Sequence, residues 1–365
     1  MMLSEKTVLT CLALVVLAPA ISKAQTPNGV AGFIPAPAPA ADRPYVPQPV
    51  YPGGIVVPLY PPDSPLLKKD RIGEPEQYTM TPGAPGRIQS IVNIHNPSIE
   101  VHTVERAINT GAAVILAPGG GHSSVVVGTE GTDFVPYFYN FGVNTVILRY
   151  RLRRDGYNPQ TDAVHDALQA VKIVRARAKE WGIDPNKIGI VGFSAGAELA
   201  APAALAYGDF DRENAGAGDS QASARPDFVG LIYPGPTPFQ RDPNTPIPRN
   251  APPSFITCAG SGDSVHAVWA DQYFAAMLKA GVPNLEMHIY GRGVHAGGLQ
   301  DRDGAPFGKW HDRFIDWFRD LGFLQKPGQE TRAARDVAAY ASRPPPGAGR
   351  RAGTNSTPPN PIPPP

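Results

Sequence analysis

The sequence predicts an α/β protein: a mostly parallel central sheet flanked by helices on both faces. Three observations carry this expectation. Short apolar, β-branched runs bounded by Gly and Pro recur through the middle of the chain, stretches with helical spacing separate several of them, and no internal repeat is visible. Strands buried on both faces read as continuous apolar runs, and strand, helix, strand in repetition means a parallel sheet between helical layers. The 365 residues are enough for one large domain of this kind, and 42% hydrophobic residues can supply its core.

Residues 1–24 read as an export signal. A polar start, "MMLSEKT", contains Lys6, and "VLTCLALVVLAPA" is an apolar core too short for a membrane span of about 20 residues. "SKA" places small residues at the −3 and −1 positions, so cleavage is expected after Ala24, with an uncleaved anchor as the alternative. A secreted or periplasmic location follows, with no membrane span after cleavage. Cleavage also removes Cys11; Cys258 then stands alone, no internal disulfide is possible, and stability must come from packing. The 33 basic and 32 acidic residues give a formal charge of +1 with no long run of one sign, so nothing points to nucleic acid as a partner.

Residues 25–65 carry 12 prolines in 41 positions, and an extended or disordered segment is expected there, within a Pro-rich arm or linker spanning 25–84. The C-terminal span 326–365 is expected to be a disordered tail, with 9 prolines in its last 22 positions. Between the two lies a domain of roughly 85–325. Its strands in order are "QSIVNIH", "EVHTVE", "AAVILAP", "NTVILRY", "IGIVGF", "FVGLIYP", "SFITCAG" and "LEMHIYG". Its helices are a run in which Ala163, Val164, Ala167, Leu168, Val171, Val174 and Ala178 recur at helical spacing, then "VHAVWADQYFAAMLKAG" and "WHDRFIDWFRDLG", each of the last two ending at a glycine. The insertions 205–226 and 235–252 are short, so no large cap domain is expected.

Within "KIGIVGFSAGAELA", Gly192-Phe193-Ser194-Ala195-Gly196 matches G-x-S-x-G. The pentapeptide alone is weak, but here an apolar strand precedes it and a strong helix former follows. A serine at such a strand-to-helix bend takes a strained backbone geometry, and glycines two before and two after avoid collisions with neighbouring backbone. Its Oγ then stands clear of the sheet as a candidate nucleophile; the bland reading is a serine that caps a helix.

A serine hydroxyl needs a base, and the base needs a carboxylate to fix its tautomer. Asp263 lies just past "SFITCAG", and His295 just past "LEMHIYG" in the loop "GRGVHAGG", the places where strand C-termini deliver such groups. His95, His102 and His288 lie in strand-like runs, and His165 and His311 in helices. His266, close to Asp263 at the opening of a helix, is the serious alternative base; Asp271 in a helix and Asp301 after the histidine are weaker acids. For the oxyanion, "LAPGGGHSS" follows a strand with three glycines that can aim backbone N–H groups into a site. Gly120 and Gly119 are the candidates there, paired with the N–H of Ala195. His122 and Phe193 are candidate substrate contacts. No metal-binding constellation is evident, and no cofactor is called for.

"PGGGH…EG", "VILRYRL", "VHDALQAVKIVRARAKEWGIDPNKIGIVGFSAGAELA" and "KAGVPNLEMHIYGRGVHAGGL" resemble the α/β-hydrolases grouped with bacterial acetylxylan and feruloyl esterases, themselves more distantly related to the hormone-sensitive-lipase type. The resemblance covers roughly residues 85–325. It implies an α/β-hydrolase fold and cofactor-free hydrolysis of carboxylic esters, with carbohydrate acetyl or feruloyl esters as candidate substrates. The family's nucleophile, acid and base fall on Ser194, Asp263 and His295. Two departures bear on the substrate: His122 stands where the family often has tyrosine, and Ala197-Glu198 stands where it often reads "GH". The expected protein is therefore a secreted serine esterase for short or carbohydrate-linked acyl esters. A serine peptidase or lipase of the same fold, or a non-catalytic binding protein, are the alternatives.

Overall fold

The computed structural model describes residues 44–214, 221–299, 304 and 306–343. The expected export signal, the segment 25–43, the last 22 residues and Asp301 lie outside the described residues.

An eight-stranded sheet forms the centre, in the order β1-β4-β6-β5-β7-β8-β9-β10. Its strands are β1 (Ile55–Pro58), β4 (Ser98–His102), β5 (Ala113–Ala117), β6 (Asn144–Arg149), β7 (Ile188–Phe193), β8 (Val229–Ile232), β9 (Ser254–Ser261) and β10 (Glu286–Arg292). β4 runs antiparallel to both β1 and β6, and the five pairings from β6 across to β10 are parallel. Two further strands, β2 (Gln77–Met80) and β3 (Ile88–Val92), pair as a separate antiparallel ribbon. Every residue of β4 through β8 is buried, as apolar runs covered on both faces require. The expected α/β architecture, with its mostly parallel sheet, is therefore the observed one.

Helices α1 (Phe134–Tyr139), α2 (Val164–Ala176), α3 (Ala197–Glu213), α4 (Pro238–Arg241), α5 (Ser264–Ala280) and α6 (Trp310–Asp320) follow in chain order. The α2 spacing read from the sequence corresponds to one buried stripe: Val164, Ala167, Leu168, Val171 and Val174 all face the core. α6 buries Trp310, Phe314, Ile315, Trp317 and Phe318, and rings of Phe314 and Trp317 meet Phe255 of β9 at 5.3 and 5.7 Å. These contacts give the β9–β10 end of the sheet its apolar cover.

Two of the expected spans need correction. The described part of the Pro-rich arm is docked. β1 lies along β4 from Ile55↔Val101 to Pro58↔Ser98, as an edge strand, one of the few strand positions that tolerate proline. Upstream of β1, Glu100 accepts hydrogen bonds from the N–H groups of Val50 and Tyr51 (2.8 and 3.0 Å), and Arg149 donates to the carbonyl of Gln48 (2.7 Å). Arg149, fully buried, also pairs with Glu100 and with Glu76 (2.9 Å). Burial pushes the Glu100 carboxyl up, but His102, Arg149 and the Val50 N–H outweigh it and hold it below the usual range. Side chains of β4 and β6 thus bond the backbone of the arm just upstream of β1.

The expected C-terminal tail contains a seventh helix, α7 (Arg332–Ser342). Thr331 caps it by accepting from the Ala334 N–H at 3.0 Å, and Ala333 and Val337 are buried. No proline falls between 328 and 343, so the composition that suggests disorder begins only after the helix.

Candidate active site

The bend after β7 is built from backbone sterics. A short 3₁₀ turn, Ser194–Gly196, joins β7 to α3, and Ser194 holds φ +51°, a left-handed value that is strained for a residue with a Cβ. A Cβ on Gly192 would lie 2.3 Å from the carbonyl oxygen of Gly196, and one on Gly196 would lie 1.9 Å from that of Ala117 in β5. Both glycines are therefore obligatory, and the turn lifts the Ser194 side chain off the sheet.

Three segments far apart in sequence meet there. Ser194 Oγ lies 2.8 Å from His295 Nε2, and His295 Nδ1 lies 3.0 Å from Asp263 Oδ2. Asp263 follows β9 and opens α5, and His295 follows β10. Asp263 is 5% exposed. Burial pushes its carboxyl up, yet hydrogen bonds from His266 and His295 outweigh this and hold it below the usual range, so it is the ionised partner. A neutral imidazole that donates Nδ1–H to that carboxylate presents a lone pair at Nε2, toward the serine.

His266, the alternative base in the sequence, does not meet Ser194. Its Nδ1 bonds to the other oxygen of Asp263, and its ring stacks on His295 with centroids 3.9 Å apart. The spacing Asp263–His266, three residues at the opening of a helix, is the signal that brings them together. Asp263, His266 and His295 each offer a ligating atom within 4.8 Å of one another, so these are the residues that could share a metal ion; here both Nδ1 atoms are turned to carboxylate oxygens.

The glycine loop comes against the serine, with one correction. A Cβ on Gly119 would lie 2.9 Å from Ser194 Cβ, but the Gly119 N–H donates to Glu130 Oε2 at 2.6 Å. That group is occupied and is no candidate for an oxyanion donor. Gly120 holds φ +126°, and a Cβ there would lie 2.2 Å from the Ser124 carbonyl oxygen, so only glycine fits. Ala195, next after the serine, is buried at the start of the turn into α3.

Phe193 needs correction too. Its ring is fully buried below the bend, 5.2 Å from Phe134, 6.0 Å from Tyr233 and 6.1 Å from Trp310, and so is core rather than a substrate contact. His122 is 2% exposed, with Nε2 3.4 Å from Glu198 Oε1 at the start of α3; Glu198 in turn meets Arg241 at 3.1 Å. The two departures from the family pattern are thus neighbours in space. Glu130 and Tyr233, whose ring stands 5.0 Å from that of His295, are site-adjacent residues that sequence reasoning missed.

The sheet order, the bend and the loops beyond the strand ends define an α/β-hydrolase fold. Residues 101–236 match the BD-FAE family model. An acetylxylan esterase from Xylanibacter ruminicola is 28% identical over 58% of this chain and 45% of its own length. Endo-1,4-beta-xylanase B from Butyrivibrio fibrisolvens is 28% identical over 54% of this chain and 34% of its own length. The chain therefore spans less than half the length of either relative. Among solved structures, an acetyl ester-xyloside bifunctional hydrolase from Caldicellulosiruptor lactoaceticus is 25% identical with a TM-score of 0.60, covering 74% of this chain and 97% of that one. Within the α/β-hydrolases, this chain is thus similar to acetylxylan and feruloyl-esterase-like proteins.

Proposed function

We propose that this chain is an exported serine carboxylic ester hydrolase acting on short or carbohydrate-linked acyl esters. Ser194 is the nucleophile, His295 the base and Asp263 the group that orients it. His295 Nε2 takes the hydroxyl proton as Oγ attacks the ester carbonyl, and Asp263 stabilises the imidazolium that forms. The N–H groups of Gly120 and Ala195 receive the oxyanion. The imidazolium then protonates the departing alcohol, and water activated by the same histidine hydrolyses the acyl-enzyme.

The observation that carries this reading is the unbroken hydrogen-bonded relay from Ser194 through His295 to Asp263. The substrate class rests on the similarity to an acetylxylan esterase and to an acetyl ester-xyloside hydrolase. Among the described residues no helix is long and apolar enough to cross a membrane; export rests on the leader read in residues 1–24.

The test compares wild type with Ser194→Ala on 4-nitrophenyl acetate, acetylated xylan and a feruloylated sugar. Wild type should release acetate from both acetyl substrates, and the variant should lose on the order of 10⁴-fold or more in kcat. Turnover that survives Ser194→Ala within tenfold would remove the serine from the reaction. A 4-nitrophenyl series that peaks at palmitate would remove the short-acyl assignment.

A further inference from the structure

Beyond the relay, one buried carboxylate ties the segments of the site to each other. Glu130 is 2% exposed, on a single π-helical turn, Gly128–Thr132, between the glycine loop and α1. Its Oε2 accepts the Gly119 N–H at 2.6 Å, and its Oε1 accepts the Tyr233 hydroxyl at 2.7 Å. Tyr233 Oη in turn accepts the N–H of Gly298, three residues past His295, at 3.1 Å. A Cβ on Gly298 would lie 1.9 Å from the Thr129 carbonyl oxygen, so the histidine loop passes directly against the Glu130 turn. Tyr233 itself holds φ +40°, a strained value just past β8, and its N–H is bonded to Thr257 of β9 at 2.7 Å.

We propose that Glu130 is a positioning residue for the ester hydrolysis assigned above, on which this inference rests. It holds the glycine loop at the height where the Gly120 N–H meets the oxyanion, and through Tyr233 it fixes the histidine loop relative to that donor. The chemistry favours this role over simple space-filling. A carboxylate with a donor on each oxygen, held by one backbone N–H and one phenol, sets distances in a way an apolar filler would not. Donors to a developing oxyanion are useful only when fixed before charge appears, so the segment carrying them needs an anchor in the next shell. Gly119 sits between Ser194 Cβ and Glu130, and drawing its N–H toward the carboxylate leaves the next amide of the loop for the substrate. The anchoring group lies outside the Ser-His-Asp relay and touches no reacting atom.

The test uses Glu130→Gln and Tyr233→Phe in the full chain, with active sites titrated by an organophosphate so that rates refer to folded enzyme. The wild-type rate, abolished in Ser194→Ala, reports on the functional assignment itself; the variants' rates relative to it report on Glu130. Glu130→Gln is expected to lower kcat on 4-nitrophenyl acetate by roughly 10- to 100-fold with KM within about threefold, because the loss falls on the transition state. Inactivation by the organophosphate, whose phosphoryl oxygen occupies the oxyanion position, should slow by a comparable factor. Tyr233→Phe keeps the Gly119 bond but cuts the link to the histidine loop, and should lower kcat several-fold with KM unchanged. The double variant should fall within about twofold of Glu130→Gln, since the two residues act along one path.

A kcat per titrated site within twofold of wild type in Glu130→Gln would overturn the proposal, as would strict additivity of the two substitutions. A loss confined to KM would do the same. Should Glu130→Gln fail to fold, Tyr233→Phe decides alone: unchanged kcat refutes the coupling, and a kcat-only loss supports it.

Discussion

At the residue scale, Asp263 is the most exposed to test. Asp263→Asn keeps the shape but presents an amide to His295 Nδ1, favouring the tautomer whose Nε2 is protonated; kcat on 4-nitrophenyl acetate should fall by about 10⁴-fold. The same carboxyl links the site to stability. Its folded value lies below the ordinary one, so its contribution is complete above the unfolded value near 3.9 and is lost as pH falls through the lower folded value. Because His266 supplies one of the two bonds that hold it down, His266→Ala should shrink this contribution. Urea midpoints measured between pH 5 and pH 2.5 should therefore decline less steeply in His266→Ala than in wild type; identical slopes would contradict it. The three residues of the hydrogen-bonded relay, Ser194, Asp263 and His295, were legible in sequence because strand ends, a glycine-bounded serine and chain order all point to the same three positions. Gly119 was not, because the acceptor of its N–H is a side chain eleven residues on whose approach depends on tertiary folding. Phe193 was not either: in a strand covered on both faces, sequence does not say which ring faces a cleft and which faces core.

At the element scale, the bend after β7 makes a sharp distinction between two glycines. Gly196→Ala would drive a Cβ into backbone at 1.9 Å, where nothing soft can yield, so a loss of several kcal/mol or failure to fold is expected. Gly121, at φ +61°, has nothing within 4 Å of a built Cβ; Gly121→Ala should cost only the left-handed backbone term of about 1–2 kcal/mol. Thermal melting of the two variants checks the contrast, and equal losses would mean that the close approach to β5 is not what demands Gly196. The eight strands read from the sequence all exist, because short runs of apolar and β-branched residues signal strands locally, even for β10, in which no residue is fully buried. β1 was missed because its pairing is specified by β4 and the sequence around it is proline-rich. α7 was missed because its neighbours' composition masked an eleven-residue amphipathic stretch.

Across the whole molecule, the described part of the arm and the α7 segment are parts of the fold. Lys187, next to β7, donates to the carbonyls of Thr110, Gln325 and Lys326, tying the segment before α7 to the base of the sheet; burial pushes its amine below the usual value. At the β1 edge of the sheet, removing residues 44–60 would strip β1 from β4 and leave Glu100 and Arg149 without the Val50, Tyr51 and Gln48 partners. Buried groups left unsatisfied cost roughly 1–3 kcal/mol each. An N-terminal deletion to residue 60 should therefore melt many degrees lower, whereas deletion to residue 43 should not; no difference between the two would make the arm a mere tether. The strand order itself was beyond the sequence, since it is set by pairings between segments tens of residues apart.

The central claim is that Ser194 becomes covalently acylated. Intact-protein mass spectrometry after treatment with a diethyl aryl phosphate, followed by peptide mapping, reads this directly. One diethylphosphoryl group per chain on the peptide containing Ser194, absent in Ser194→Ala and strongly slowed in Asp263→Asn, is the expected result. An unmodified chain, or an adduct that persists on another residue in Ser194→Ala, would contradict the account.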